Sequence, residues 1–132
     1  MPDVSLPAAL VATLLAFGLG ALWYGPLFGA AWMRENGFSE ASLKQGFDPA
    51  KTYGATFALA LASSYALGAL LGPAPGLARG LGVGSAAGLF LVAAAVATNY
   101  LFERRSLALW LINGGYHTAR FALMGLAFGL LG

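Results

Sequence analysis

Four polar side chains near the C-terminus have the types and the spacing of a binding site. Asn113, His117 and Arg120 follow one another at intervals of four and three residues, which places them on one face of a helix. Tyr116 lies one turn before Arg120 and flanks the same face. A guanidinium can bind an anion, and an amide and an imidazole beside it can orient that anion through hydrogen bonds. These residues therefore predict a site for an anionic group.

The helix that carries these residues lies in one of four long stretches with almost no charge. Residues 4–33, 52–78 and 80–102 contain no Asp, Glu, Lys or Arg, and residues 106–132 contain only Arg120. Each stretch is long enough to cross a bilayer core of ~30 Å, which takes ~20 helical residues. A charge at that depth costs free energy, so Arg120 is the strongest indication of a functional site in this sequence.

The composition predicts a membrane protein rather than a soluble one. Of the 132 residues, 59% are hydrophobic and 9% are charged, whereas soluble domains average about 25% charged residues. We therefore predict an all-α fold, with four transmembrane helices in an antiparallel bundle that forms a single domain over residues 1–132. The seven basic residues are scattered along the chain, so no nucleic-acid partner is predicted. Because the chain has no cysteine and one histidine, we predict no metal site and no cofactor.

Turn and capping residues divide the chain into the predicted spans. Asp48-Pro49 is typical of a helix start, and the Gly and Pro residues between 72 and 76 break the helix. Pro26 disfavours helix at Gly25 and indicates the end of the first span. A short surface helix is expected after Ser39, in the polar loop. The spans are predicted at about residues 5–28, 50–71, 77–101 and 107–131.

The distribution of basic residues predicts the orientation of the spans. The loops after the first and third spans carry five basic residues, whereas the opposite side carries only Arg79. Positive residues collect on the cytoplasmic side. We therefore expect an inner (plasma) membrane protein with both termini outside. The five basic residues of the inner loops are Arg34, Lys44, Lys51, Arg104 and Arg105.

Glycines recur at four-residue spacing in every span, a pattern that lets helices approach closely in lipid. The third span has Gly80, Gly84 and Gly88, and the fourth has Gly125 and Gly129. Two interpretations are open: the glycines pack helices within one bundle, or they form an interface between protomers. We expect two partners for this chain: the lipid bilayer, and further copies of the same chain in a homo-oligomer that packs through the glycine-rich helix faces.

A second polar pair lies near the end of the third span. Asn99 and Glu103 are spaced by four residues, and Glu103 adjoins two arginines. The pair either belongs to an ion cluster at the membrane surface or lines a vestibule that leads towards His117. Trp23 and Tyr24 are expected to shape one mouth of the pocket. The predicted ligand-binding residues are Arg120, His117, Asn113, Tyr116, Asn99, Glu103, Trp23 and Tyr24.

Arg120 has no acidic residue in any of the four apolar stretches to pair with. Three interpretations follow. Carbonyls and tyrosines hold Arg120 as a staple between helices, or Arg120 lines a water-filled cavity that binds an anionic ligand, or the span is shallower and Arg120 reaches the outer headgroups. We expect a neutral His117, because the guanidinium one turn away disfavours its charged form.

Two segments resemble a bacterial membrane family, the domain of unknown function numbered 1761. The first runs from Leu22 to Gly29 with Trp32 after it, and the second runs from Asn99 to Arg105 and continues with Leu109 to His117. The resemblance covers nearly the whole chain and implies a four-span inner-membrane protein. It implies no established activity.

The predicted function rests on residue chemistry. We predict a small polytopic membrane protein that transports or binds a small anionic or amphipathic solute or lipid in a polar pocket within the membrane. The alternative is a structural or accessory membrane subunit, in which the same polar residues only hold the helices together. We predict no enzyme, because no nucleophile motif and no acid–base pair is present.

Overall fold

The computed structural model describes residues 3–132, and this part of the chain is helical with no strand. Short turns separate the helices, and two π-helical segments, Trp23–Leu27 and Ala87–Ala93, interrupt the α-helical pattern. The second π-helical segment joins the α-helices on either side of it, Leu77–Ala86 and Ala94–Glu103, into one continuous helix. The α-helices are α1 (Leu6–Leu22), α2 (Gly29–Asn36), α3 (Glu40–Lys44), α4 (Pro49–Leu71), α5 (Leu77–Ala86), α6 (Ala94–Glu103) and α7 (Leu107–Leu131).

Three helical stretches are long and apolar enough to cross a membrane: Leu6–Leu27, Pro49–Leu71 and Leu77–Glu103. This result confirms the all-helical class and the predicted positions of the first three apolar helices. Helix α7 is as long, at 25 residues, but it is not among them. Its polar residues around His117 lower the mean hydropathy of the helix. That α7 also crosses the membrane therefore stays a prediction.

Large apolar side chains cover the outer surface of these helices. Phe90 is 70% exposed, Phe102 is 86% exposed and Leu59 is 69% exposed. An apolar surface of this extent is unfavourable in water and is typical of a surface that contacts lipid or a partner. The exposed faces therefore agree with the apolar composition of the three membrane-compatible helices.

Helix α7 lies at the centre and contacts α1, α4 and the continuous α5–α6 helix. Glycines allow the closest approach, between α5 and α7. A Cβ atom built on Gly125 would collide with the carbonyl oxygen of Gly80, and one built on Gly84 would collide with that of Phe121. The four-residue glycine spacing here serves packing within the chain. Gly25 has no such neighbour within 4 Å, and the interface between protomers stays a prediction.

The core has small residues on α1 and large ones on its neighbours. Ala8, Ala12 and Ala16 are almost completely buried, as are Leu67 of α4 and Met124 of α7. The small alanine side chains let α1 pack close to α4 and α7. At this short distance a polar side chain of α4 reaches the backbone of α1. The hydroxyl of Ser64 donates to the carbonyl of Ala9 at 3.0 Å.

The predicted helix starts are confirmed by their capping hydrogen bonds. Ser39 accepts from the backbone N–H of Ser42 and opens α3 with a capping box. Asp48 accepts from the backbone N–H of Lys51 and opens α4, with Pro49 in its first turn. The turn before α5 has Gly72 at φ 76° and Gly76 at φ 80°, a left-handed region that glycine adopts without a Cβ clash.

The first span ends near the predicted residue 28, but the local structure around Pro26 differs from the prediction. The helix does not break at Gly25 but continues through Pro26 as the π-helical segment Trp23–Leu27. A π-helical turn uses wider i→i+5 hydrogen bonds, which accommodate the missing N–H of proline and its ring. The interruption comes at Phe28, with φ −126° and ψ 7°, and α2 begins at the next residue.

Candidate functional site

The polar residues of α7 lie on its packed side and are half-buried. The Nε atom of Arg120 donates to Nδ1 of His117 at 3.1 Å. The guanidinium carbon lies 4.6 Å from the ring centroid of Phe121, and the Nη1 atom lies 3.9 Å from the sulfur of Met124. Because Nδ1 accepts this bond, it carries no proton, and the contact fits the neutral His117 that we expect.

No carboxylate of residues 3–132 pairs with Arg120; the ion pairs of this part of the chain are at its surface. The partners of the guanidinium are instead neutral: an imidazole, a thioether and an aromatic face. The three contacts of the half-buried guanidinium are therefore with neutral groups of α7 itself, and its positive charge is uncompensated within the described chain.

Asn113 connects three helices. The hydroxyl of Tyr24 donates to its Oδ1 atom at 2.7 Å, and its Nδ2 atom donates to the hydroxyl of Tyr100 at 2.6 Å. These two bonds tie the end of the first helix and α6 to α7. Tyr100 was not among the predicted ligand-binding residues, although its neighbour Asn99 was. Consecutive helical residues point about 100° apart, and the α-helical register alone does not say which one faces α7.

Asn99 and Glu103 do not join the polar face of α7. Asn99 is exposed, and Glu103 forms an ion pair with Arg105 at 3.0 Å. Arg105 also donates to Oδ1 of Asn36 at 3.3 Å. The geometry places Glu103 in an ion cluster at the end of the helix, which was one of the two interpretations left open, and not in a vestibule.

Gly114 and Gly115 each make room for an indole ring. The Nε1 atom of Trp23 donates to the carbonyl of Ile112 at 2.8 Å, and a Cβ atom on Gly115 would lie 3.0 Å from that ring. A Cβ atom on Gly114 would lie 3.1 Å from the ring of Trp110. The two glycines therefore admit tryptophans that hold α7 against its neighbours.

Tyr116 completes the contact between α1 and α7. Its hydroxyl donates to the carbonyl of Ala16 at 2.9 Å and lies over Gly20. Its ring meets that of Tyr24 edge to face, with 5.2 Å between the centroids. The predicted residues Trp23, Tyr24, Asn113 and Tyr116 thus form one interlocked cluster.

A groove of about 520 Å³ lies between α1 and the start of α4, and the cluster forms one of its walls. This volume falls in the range of small-molecule sites. Backbone and small side chains of α1 also line the groove, and its larger lining residues are Phe17, Tyr24, Thr52, Tyr53, Thr56 and Tyr116. Of the predicted site residues, Tyr24 and Tyr116 line it. Arg120 is not a lining residue, but it lies one turn beyond Tyr116, ~6 Å along the axis of α7.

No group of three or more His, Cys, Asp or Glu residues in the described chain is placed to hold a metal ion. The polar side chains of the interlocked cluster, together with His117 and Arg120, instead present hydroxyl, amide, imidazole and guanidinium groups. Such groups recognise anions and hydrogen-bonding ligands.

Fold and site together define an all-helical protein with membrane-compatible helices around a central helix that carries a polar cluster. The chain belongs to the family described as "Protein of unknown function (DUF1761)", whose sequence pattern matches residues 7–129. This match confirms the resemblance that the two motif segments indicated. No curated protein and no solved structure matches the chain. The function is therefore argued from the geometry.

Proposed function

We propose that this chain is a four-span integral membrane protein that binds an amphipathic organic anion in the groove between α1 and α4. The apolar body of the ligand lies against the aromatic rings of the groove. Its anionic group approaches Arg120 past the hydroxyl of Tyr116, while Asn113 and His117 keep the surrounding side chains in place. We propose binding, with or without transport of the ligand, and no catalytic role.

The location of its polar residues supports α7 as the fourth span. Asn113 and Tyr116 bond to the neighbouring helices, whereas Leu107 and Leu111 are exposed. A polar face that packs inside a bundle does not prevent a helix from crossing the bilayer. We further propose an inner-membrane location with both termini outside, and a homo-oligomer through glycines that the bundle leaves free.

The uncompensated charge of Arg120 is the observation on which the binding proposal depends. An arginine near the middle of an apolar helix is unfavourable by ~2.5–3.5 kcal/mol. Sequences retain such residues where they contact a substrate, an ion or a buried acid. The nearest polar partner of Arg120 is neutral His117, so an anionic ligand would supply the missing charge.

The groove fits the remaining part of such a ligand. Phe17, Tyr24, Tyr53 and Tyr116 offer aromatic surface, and Thr52 and Thr56 offer hydroxyl groups on the opposite wall. Ligand sites commonly combine an apolar lining with a few polar groups that fix orientation. An organic anion with an aromatic or aliphatic body therefore matches the groove better than a small inorganic ion does.

A structural or accessory subunit is the second candidate. It is favoured by the hydrogen bonding of the cluster, because in residues 3–132 no buried side-chain nitrogen or oxygen lacks a partner. In this alternative, Trp23, Tyr24 and Tyr116 hold the helices together and Arg120 contributes only to stability.

Calorimetric titration separates the two candidates. The protein in lipid nanodiscs is titrated with naphthalene-2-sulfonate, an aromatic anion, and with naphthalene-2-methanol, its neutral counterpart. We expect the anion to bind more tightly, and we expect Arg120→Gln to weaken its binding at least tenfold. That factor corresponds to the loss of one charge-assisted contact.

The control is Arg104→Gln, which removes one positive charge from the exposed hinge before α7. It should leave the titration unchanged. Equal binding to Arg120→Gln and to the parent protein would refute the proposed ligand site, and the absence of any preference for the anion would do the same.

A further inference from the structure

A second cavity, of about 550 Å³, lies in the polar segment that follows the first membrane-compatible helix. It is formed by α2, α3, the loop after α3 and the start of α4. Its lining residues are Trp32, Glu40, Leu43, Lys44, Phe47 and Tyr53. Only Tyr53 is shared with the groove beside Tyr116. None of the predicted ligand-binding residues lines this cavity, so a ligand bound in it would contact a different set of side chains.

Three aromatic rings face this cavity. Phe47 and Tyr53 meet edge to face, with 5.8 Å between their centroids. The ring of Trp32 also contacts the rings of Tyr24 and Phe38, with 6.0 Å and 5.4 Å between the centroids. Rings that converge on one cavity attract a cationic ammonium group through their negative faces, and quaternary ammonium groups are recognised in this way.

The cavity also carries one negative and one positive side chain. Glu40 and Lys44 are one turn apart on α3 and both are exposed. A glutamate four residues before a lysine has the favourable order for a helical ion pair. Nevertheless, no carboxylate of residues 3–132 lies within 4.0 Å of the Lys44 ammonium. Both charges consequently remain available to a ligand.

We propose that this cavity binds a zwitterionic headgroup. The ammonium of the headgroup lies among the rings of Trp32, Phe47 and Tyr53 and beside the Glu40 carboxylate. Its phosphate or carboxylate pairs with Lys44. The inference goes beyond the proposed function and does not depend on Arg120. A phospholipid headgroup and a free zwitterion share this chemistry, and the experiment distinguishes them.

Native mass spectrometry of the detergent-solubilised protein provides the test. Binding of phosphatidylethanolamine is compared with that of phosphatidylglycerol, which keeps the phosphate but has no ammonium, and with soluble phosphoethanolamine. We expect a preference for phosphatidylethanolamine over phosphatidylglycerol of about tenfold. Glu40→Gln and Lys44→Gln should each weaken binding about tenfold, since each removes one charge-assisted contact.

Matched controls are available in the chain. Lys51→Gln removes a lysine of α4 whose side chain does not line the cavity, and Phe102→Leu removes an exposed phenylalanine elsewhere on the surface. Both should bind like the parent protein, whereas Phe47→Leu should weaken binding several-fold. Circular dichroism verifies that each variant is folded, and Phe47→Leu provides a test that leaves the capping residues of α3 unchanged.

Binding of phosphoethanolamine with the same variant profile would support a free zwitterion, and binding of the lipid alone would support a membrane lipid. Equal binding of the two phospholipids would overturn the proposal, because it would show that the ammonium is not recognised. A profile in which only Lys44→Gln weakens binding would overturn it as well, since it would indicate an anion site.

Discussion

Replacing Arg120 by leucine tests whether this arginine is a staple or part of a binding site. The variant removes the hydrogen bond to His117 at 3.1 Å and the contact with the ring of Phe121 at 4.6 Å. A hydrogen bond to a charged group contributes about 1.5–3 kcal/mol, and a cation–π contact about 0.5–2 kcal/mol. The two contacts together therefore stabilise the folded chain by ~2–5 kcal/mol.

The same substitution also removes an unfavourable term. With α7 as a membrane span, as proposed, an arginine near its middle costs ~2.5–3.5 kcal/mol, so the contacts and the transfer of the charge nearly cancel. We expect the free energy of unfolding of Arg120→Leu to differ from that of the parent by no more than ~2.5 kcal/mol. Binding of naphthalene-2-sulfonate should be lost at the same time.

The assay is equilibrium unfolding in mixed micelles, followed by tryptophan fluorescence, together with calorimetric titration of the folded variants. His117→Leu serves as the partner variant, because it leaves the guanidinium without its hydrogen-bond acceptor. We expect this single variant to be less stable than the double variant Arg120→Leu/His117→Leu. An uncompensated charge in a packed site is more costly than its removal.

Two results would refute this reasoning. A loss of more than ~3 kcal/mol in Arg120→Leu with unchanged anion binding would identify the arginine as a staple. Additive effects of the two substitutions would show that Arg120 and His117 do not interact energetically.

Three further predictions concern packing, the polar cluster and topology. Gly125→Ala should destabilise the protein by at least ~2 kcal/mol in the same unfolding assay, because its Cβ would collide with backbone of α5; Gly82→Ala, which has open space around it, should be neutral, and equal stability of the two variants would contradict the packing. Tyr24→Phe should lose ~0.6 kcal/mol, the average for a hydrogen bond inside a membrane protein, and a loss below detection would show that the bond is not formed. A topology reporter fused after Gly132 should report from the outside of the membrane, and a cytoplasmic signal would reverse the proposed orientation.

Local signals were sufficient for most of the helix boundaries. Asp48-Pro49 starts α4 as predicted, because a capping side chain needs only backbone N–H groups two or three residues away. Helix α7 starts at the predicted residue 107, where Ser106 accepts from the backbone N–H of Leu109. Pro26 was less reliable as a signal. Its effect depends on whether the chain can widen into a π-helical turn, and the tertiary contacts of Trp23 and Tyr24 accompany that turn.

The candidate site was predicted in part. The spacing of Asn113, His117 and Arg120 placed them on one face of α7, with Tyr116 on its flank, since the helical period alone decides this. The partners of that face lie on other helices, and no local pattern identifies them. The hydrogen bond from Trp23 to the carbonyl of Ile112 spans 89 positions of the chain. For the same reason Tyr100 was not among the predicted site residues. Two interpretations of Glu103 were left open by the sequence, and the folded chain pairs it with Arg105.

By itself, the sequence determined the all-helical class, the apolar stretches, the family and the place of Arg120 near the middle of its helix, because charge patterning and periodicity act within one segment. Only the tertiary structure decided which glycines make room for which rings, that Asn113 bonds with Tyr24 and Tyr100, and that aromatic and charged side chains between α2 and α4 surround a second cavity. These features depend on distances between segments far apart in the chain, and such distances are fixed only when the helices pack.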